Sequence, residues 1–207
     1  MSDLYQEKWS KFLKRVKLFK YVPFTEIVLV YGSLVTGRLK ESSDFDVVVG
    51  VRKGRIFTNR FFAILVFSMF GYFNRHMHSD GKGKDKICLS HFVTKDRYKL
   101  LPPYNPGWHE LYSKMILVMG DEKKASEFFQ ANDWVQPTRV YKRDERYLGS
   151  GKSWLKSLLE FLLGGWFGDL LERLKFVQIT VATKGLPDPM PDGARFMCSD
   201  DELEFHI

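Results

Sequence analysis

Apolar positions recur at two spacings along this chain of 207 residues, and they divide it into candidate helices and strands. Near the start, Trp9, Phe12, Leu13, Val16 and Phe19 fall three or four residues apart, while Lys8, Lys11, Lys14, Arg15 and Lys17 take much of the remaining surface. That spacing predicts an amphipathic helix ending before Pro23, with a solvated basic face. The runs EIVLVYG and DFDVVVGV are instead continuous, β-branched and bounded by turn residues, so both are expected as strands. Between them, Leu34 to Gly37 reads as one helical turn and Arg38 to Ser43 as a loop. RIFTNRFFAILVFSMFGYF is too long for a strand, and its all-round apolarity predicts a helix buried against a sheet.

A polar loop, NRHMHSDGKGKDK, leads into a third expected strand, ICLSHFV. Strict alternation would put Cys88, Ser90 and Phe92 on one face and Ile87, Leu89, His91 and Val93 on the other. Beyond LPPYNPG, the stretches WHELYSKMILVMG and EKKASEFFQAND read as helices. A long stripe follows, running from Leu155 through Leu158, Leu162 and Trp166 to Leu174, with Gly164 and Gly165 marking a kink. This stripe is expected in a packed core or a contact between copies, and Trp108 in aromatic core packing. Acidic Glu160, Asp169 and Glu172 would repel an anionic membrane. The proline-containing tail GLPDPMPDGARFMCSDDELEFHI reads as an extended end. The expectation is an α+β fold: a mixed β-sheet flanked by helices over residues 1–100, then a mainly helical region with an extended tail over 101–207.

Composition narrows the classes. With 44% hydrophobic and 28% charged residues the chain is globular rather than disordered, and a net charge of +7 favours an anionic partner. Cys88 and Cys198 stand far apart, which supports neither a disulfide framework nor a cysteine metal set and fits a reducing cytoplasm. His76, His78, His91 and His109 include no helix-spaced pair that would suggest zinc. No apolar run reaches the ~20 residues of a membrane span, so no membrane insertion is expected.

The candidate chemistry lies in VYGSLVTGRLKESSDFDVVV, Val30 to Val49. Gly32 and Gly37 have the spacing of a phosphate-binding P-loop, but Arg38 replaces its lysine and Leu39 its metal-binding hydroxyl. The P-loop therefore fails on chemistry. Asp44 and Asp46, one residue apart on a strand, point to the same side and repel unless a cation lies between them. Mg²⁺ prefers such hard oxygen ligands, while Phe45, Val47 and Val49 would face the core. Gly32 permits close backbone approach, and Ser33 offers a hydroxyl and an amide to a phosphate.

With Gly32, Ser33, Gly37, Ser43, Asp44 and Asp46 at these offsets, the first half of the chain resembles the polymerase-beta-like nucleotidyltransferase superfamily, particularly its small stand-alone members. The resemblance implies transfer of a nucleoside monophosphate from an NTP to a hydroxyl acceptor, with pyrophosphate leaving. It implies Mg²⁺ or Mn²⁺ on Asp44 and Asp46, and nucleotide phosphates held by Gly32, Ser33 and Ser43. Small molecules, RNA ends and protein hydroxyls all stay open as acceptors. Two departures stand out. Thr36 occupies a position where many small members carry arginine, and ICLSHFV lacks the third carboxylate that active members place on a neighbouring strand. Asp85 and Asp96 only flank that strand, and Asp85, beside Lys84 and Lys86, reads as an exposed loop acid. Ser90 is the residue expected at the third position, leaving a weakened site and a nucleotide-binding or regulatory protein as the alternative function.

Overall fold

The computed structural model describes residues 3–73, 83–102, 106–135, 141–183 and 195–206. Helix α1 (Asp3–Val16) forms where the three-four spacing predicts it, and a 3₁₀ segment over Lys17–Tyr21 carries the chain on. Trp9, Phe12, Val16 and Phe19 are buried on one face of the central sheet. The expected strand–turn–strand follows as β1 (Thr25–Val30), the one-turn helix α2 (Ser33–Thr36) and β2 (Phe45–Val51). Helix α3 (Ile56–Met69) then crosses over to β3 (Ile87–Val93), which pairs parallel with β2.

The second half departs from the helical expectation. WHELYSKMILVMG splits into helix α4 (Pro106–Ser113) and strand β4 (Ile116–Gly120), which pairs antiparallel with β1. An apolar run such as ILVMG carries no period of its own, so a strand there is indistinguishable from a continued helix. Asp121 caps helix α5 (Glu122–Ala131) by accepting from Lys123 N at 2.8 Å. Helices α6 (Trp154–Leu162), α7 (Trp166–Arg173) and α8 (Lys175–Thr183) follow, with the break at residues 163–165 where the two glycines predicted a kink. The end of the tail forms a hairpin, β5 (Arg195–Cys198) and β6 (Glu202–His206), added antiparallel to β3. The result is an α+β fold around a mixed six-stranded sheet ordered β4-β1-β2-β3-β6-β5, to which the C-terminal half contributes β4, β5 and β6. The loop histidines His76 and His78 and the tail's prolines lie outside the described residues.

Both sheet faces are covered. α1 and α3 close one face over Val28, Val30, Phe45, Val47 and Val49. Tyr98, Trp108, Tyr112 and Phe128 close the other over Ile27, Leu29 and Val48. α3 is less buried than its composition predicts, since Phe61 and Leu65 remain exposed.

One polar contact ties α1 to the chemistry-bearing loop. Lys8, expected on a solvated face, is 1% exposed and meets Asp85 Oδ1 at 2.8 Å. Its ammonium also donates to the carbonyls of Glu41 and Ser43 at 2.7 and 2.8 Å, and Lys11 meets Asp85 Oδ2. Asp85 is thus a buried structural acid rather than an exposed one, and Lys8 pins the loop that delivers Asp44. Burial alone would raise the Asp85 carboxyl, but the hydrogen bonds from Lys11 and Lys8 outweigh it and hold it below its ordinary value. Its contribution to stability is therefore present above the ordinary carboxylate range and lost as pH falls through the depressed folded value. Asp85→Asn leaves the Lys8 ammonium buried without its counter-charge and should cost about 3 kcal/mol. Urea unfolding at pH 7 checks this, and an unchanged midpoint would contradict it.

Candidate functional site

The site is built at the turn between β1 and β2 and the adjoining start of β3. Because β1 and β2 run antiparallel and β2 and β3 parallel, the beginning of β2 lies beside the end of β1 and the beginning of β3. Gly32 turns the chain with φ +77°, a left-handed conformation that favours glycine, and a Cβ there would overlap Asp46 Oδ2. Ser33 opens α2, and Gly37 ends it in the left-handed conformation. Asp44 and Asp46 project together as their spacing predicted, with ligand atoms of Asp44, Asp46 and Cys88 all within 4.8 Å of one another.

Cys88, not Ser90, stands directly across from Asp46 in the β2–β3 register. The alternation expected along β3 is broken by a bulge. Asp46 pairs with Cys88 but Val48 pairs with His91, so three residues on β3 span two on β2. The bulge returns His91 to the face of Cys88, while Leu89 and Phe92 pack in the opposite core with Ile87. Ser90 is buried, and the Cys88 thiol donates to its hydroxyl at 3.2 Å. Equivalent positions at the starts of two parallel strands, Asp46 second in β2 and Cys88 second in β3, are the signal that singles out Cys88.

Ser43 directly precedes Asp44 in the loop that leads into β2. Its hydroxyl accepts from Lys40 N at 3.0 Å, and its carbonyl is held by Lys8 and by Asp85 N. These contacts shape the loop. Asp96 pairs with Lys53 beyond the other end of β3, and Arg38 pairs with Glu110.

The electrostatics follow from crowding acids in a poorly solvated corner. Removal from water, and then the neighbouring Asp44 charge, push the Asp46 carboxyl up to about 7. Burial, then Asp46 and Asp44, push the Cys88 thiol well up, so it is neutral at pH 7. Burial also raises the Tyr31 phenol, with further contributions from Asp46, Cys88 and Glu204. Two carboxylates that resist joint ionisation suit one divalent cation. A neutral thiol beside them is a poor partner for a hard ion such as Mg²⁺.

A second buried group lies further along the same sheet face. His91 Nδ1 is 3.8 Å from Glu204 Oε1 and His91 Nε2 is 4.0 Å from Glu202 Oε1, while Arg195 Nε meets Glu204 Oε2 at 2.9 Å. Each ring nitrogen faces a different carboxylate, and one nitrogen of His91 and one oxygen of each glutamate also lie within 4.8 Å of one another, close enough to share an ion. Burial, followed by the Glu204 charge, pushes the Glu202 carboxyl to about 7.

Compared with protein-family models, curated proteins and solved structures, the chain matches none.

Because the folded state raises the Asp46 carboxyl above its ordinary value, its ionisation opposes folding. The metal-free protein should lose stability as pH rises from about 4 to 7. Asp46→Asn should remove most of that slope and melt above the unsubstituted protein at pH 8, as read by thermal scans in chelator. A lower melting temperature at pH 8 would show that the carboxylate is stabilised rather than strained.

Proposed function

We propose that this protein binds a nucleoside triphosphate through a divalent cation, Mg²⁺ or Mn²⁺, held by Asp44 and Asp46, and transfers a nucleoside monophosphate from it to a hydroxyl acceptor. The observation that carries this reading is the convergence of the two carboxylates beside a glycine turn that has no room for a side chain. A cation bound there supplies positive charge to the α-phosphate and the leaving pyrophosphate. The chain's own part is positional. Asp44 and Asp46 give two oxygen ligands and leave the remaining coordination positions to water and phosphate oxygens. Gly32 lets phosphate approach the backbone, and Ser33 offers its hydroxyl and amide. The buried Lys8–Asp85 pair holds the loop from which Asp44 projects.

Cys88 favours a second reading. Phosphoryl transfer with two cations needs a further anionic ligand, and the residue across from Asp46 is a neutral thiol. On that reading the corner binds nucleotide and turns it over slowly or not at all. The fold does not choose among small-molecule, RNA and protein acceptors.

Labelled NTPs tested with Mg²⁺ or Mn²⁺, for binding and for pyrophosphate release, separate the two readings. Binding should require the cation and weaken at least ~10-fold in Asp46→Asn, as expected for losing a charged ligand. Ser33→Ala should cost about 1–3 kcal/mol of NTP affinity if its hydroxyl meets a phosphate. Restoring an acid by Cys88→Asp should speed pyrophosphate release on the order of tenfold or more if the second cation limits turnover. Cation-independent binding, or full affinity in Asp46→Asn, would remove the basis for both readings.

A further inference from the structure

The apolar stripe expected in a core faces outward. On α6, Phe161 is 82% and Trp154 78% exposed, with Leu158 and Leu162 beside them; on α7, Trp166 is 66% exposed, next to Phe167. The polar side of these helices faces the protein instead. Ser153 Oγ donates to Lys20 O at 2.6 Å, and buried Lys156 donates to Thr25 O at 2.5 Å. Glu160 accepts from Phe24 N at 2.7 Å and meets Arg52 at 3.1 Å.

On α7, Asp169 meets Arg55 at 2.6 Å. Glu172 accepts from Phe57 N and Thr58 N at 3.2 and 2.7 Å. Those two amides belong to the first turn of α3, whose N-cap residue Arg55 provides no side-chain cap of its own. Glu160 and Glu172, two of the acids that would have repelled an anionic membrane, are thus turned to the protein body, and the third, Asp169, stays exposed but is neutralised by Arg55. Amphipathicity is inverted relative to a packed helix.

Exposed large apolar side chains concentrated on two successive helices mark an interaction site, and the charge around them selects the partner. Lys152 stands two residues before Trp154, Arg173 closes α7, and Lys17 lies in the 3₁₀ segment that packs on the start of α6; all three are exposed. A second copy would bring the same basic rim and the same net charge of +7, whereas an anionic bilayer complements both. α6 has nine residues, about 14 Å of helix, against a hydrocarbon core of ~30 Å, so it cannot span. Among the described residues no helix is long and apolar enough to cross a membrane. Trp and Phe side chains on short helices suit the boundary between headgroups and acyl chains. We propose that the outer face of α6 and α7 is a docking surface for anionic lipid bilayers, on which the protein lies without spanning them.

The test is cosedimentation of the full chain with vesicles of phosphatidylcholine, alone or mixed with phosphatidylglycerol. The protein should partition onto the anionic vesicles and be released as salt rises. A Trp154→Ser, Phe161→Ser, Trp166→Ser triple variant should bind at least roughly tenfold more weakly, because it removes buried apolar area but no charge. These side chains are exposed, so the variant should keep the circular dichroism spectrum of the unsubstituted protein. Asp46→Asn should bind vesicles normally, which separates this surface from the cation site. Absence of vesicle binding, or equal binding by the triple variant, would overturn the proposal. So would light scattering that showed a dimer converted to monomer by the same three substitutions, with vesicles ignored.

Discussion

Two carboxylates and a thiol crowd within 4.8 Å at the start of β2 and β3, and much of the surrounding architecture serves to hold them there. Isolated acids at that separation would move apart or take up a proton. Here they cannot move apart. Asp46 is built into a strand paired on both sides, with β1 and β3, and Gly32 closes over its carboxylate. Asp44 is delivered by a loop that Lys8 fastens to α1. The cost appears in the raised Asp46 carboxyl, and a cation is the natural means of relieving it.

The parts of this arrangement that depend on local spacing were legible in the sequence. Gly32, the short helical turn and the paired aspartates are separated by a dozen residues, and their geometry follows from strand alternation and turn chemistry. What escaped was long-range or irregular. The bulge at Leu89 and Ser90 shifts the pairing by one residue and brings His91 to the face of Cys88, while the pairing of Asp46 with Cys88 lies before the bulge and is set by the long-range register of β2 against β3. Lys8 and Asp85 lie far apart in the chain, and each looked like a solvated charge until the other was placed beside it. β4 was hidden because an apolar run directly after a helix has no period of its own. β5 and β6 exist by pairing with each other and with β3, information that a proline-containing tail does not display.

The C-terminal helices show the same limit from another side. Periodicity locates the apolar stripe of α6 and α7 but is silent about which way it faces. Orientation is set instead by the partners of the polar residues. Thr25 and Phe24 at the start of β1, and the first turn of α3, all take their contacts from Lys156, Glu160 and Glu172. Once those polar groups are committed inward, the tryptophans and phenylalanines have only the outside left.

The most direct test of the cation account is a crystal structure with Mn²⁺ and a non-hydrolysable NTP, read by anomalous scattering. The account predicts a manganese peak between the Asp44 and Asp46 carboxylates, with nucleotide phosphate oxygens completing its coordination on the Gly32–Ser33 side. A peak only at His91, Glu202 and Glu204, or nucleotide bound with no metal at the aspartates, would contradict it.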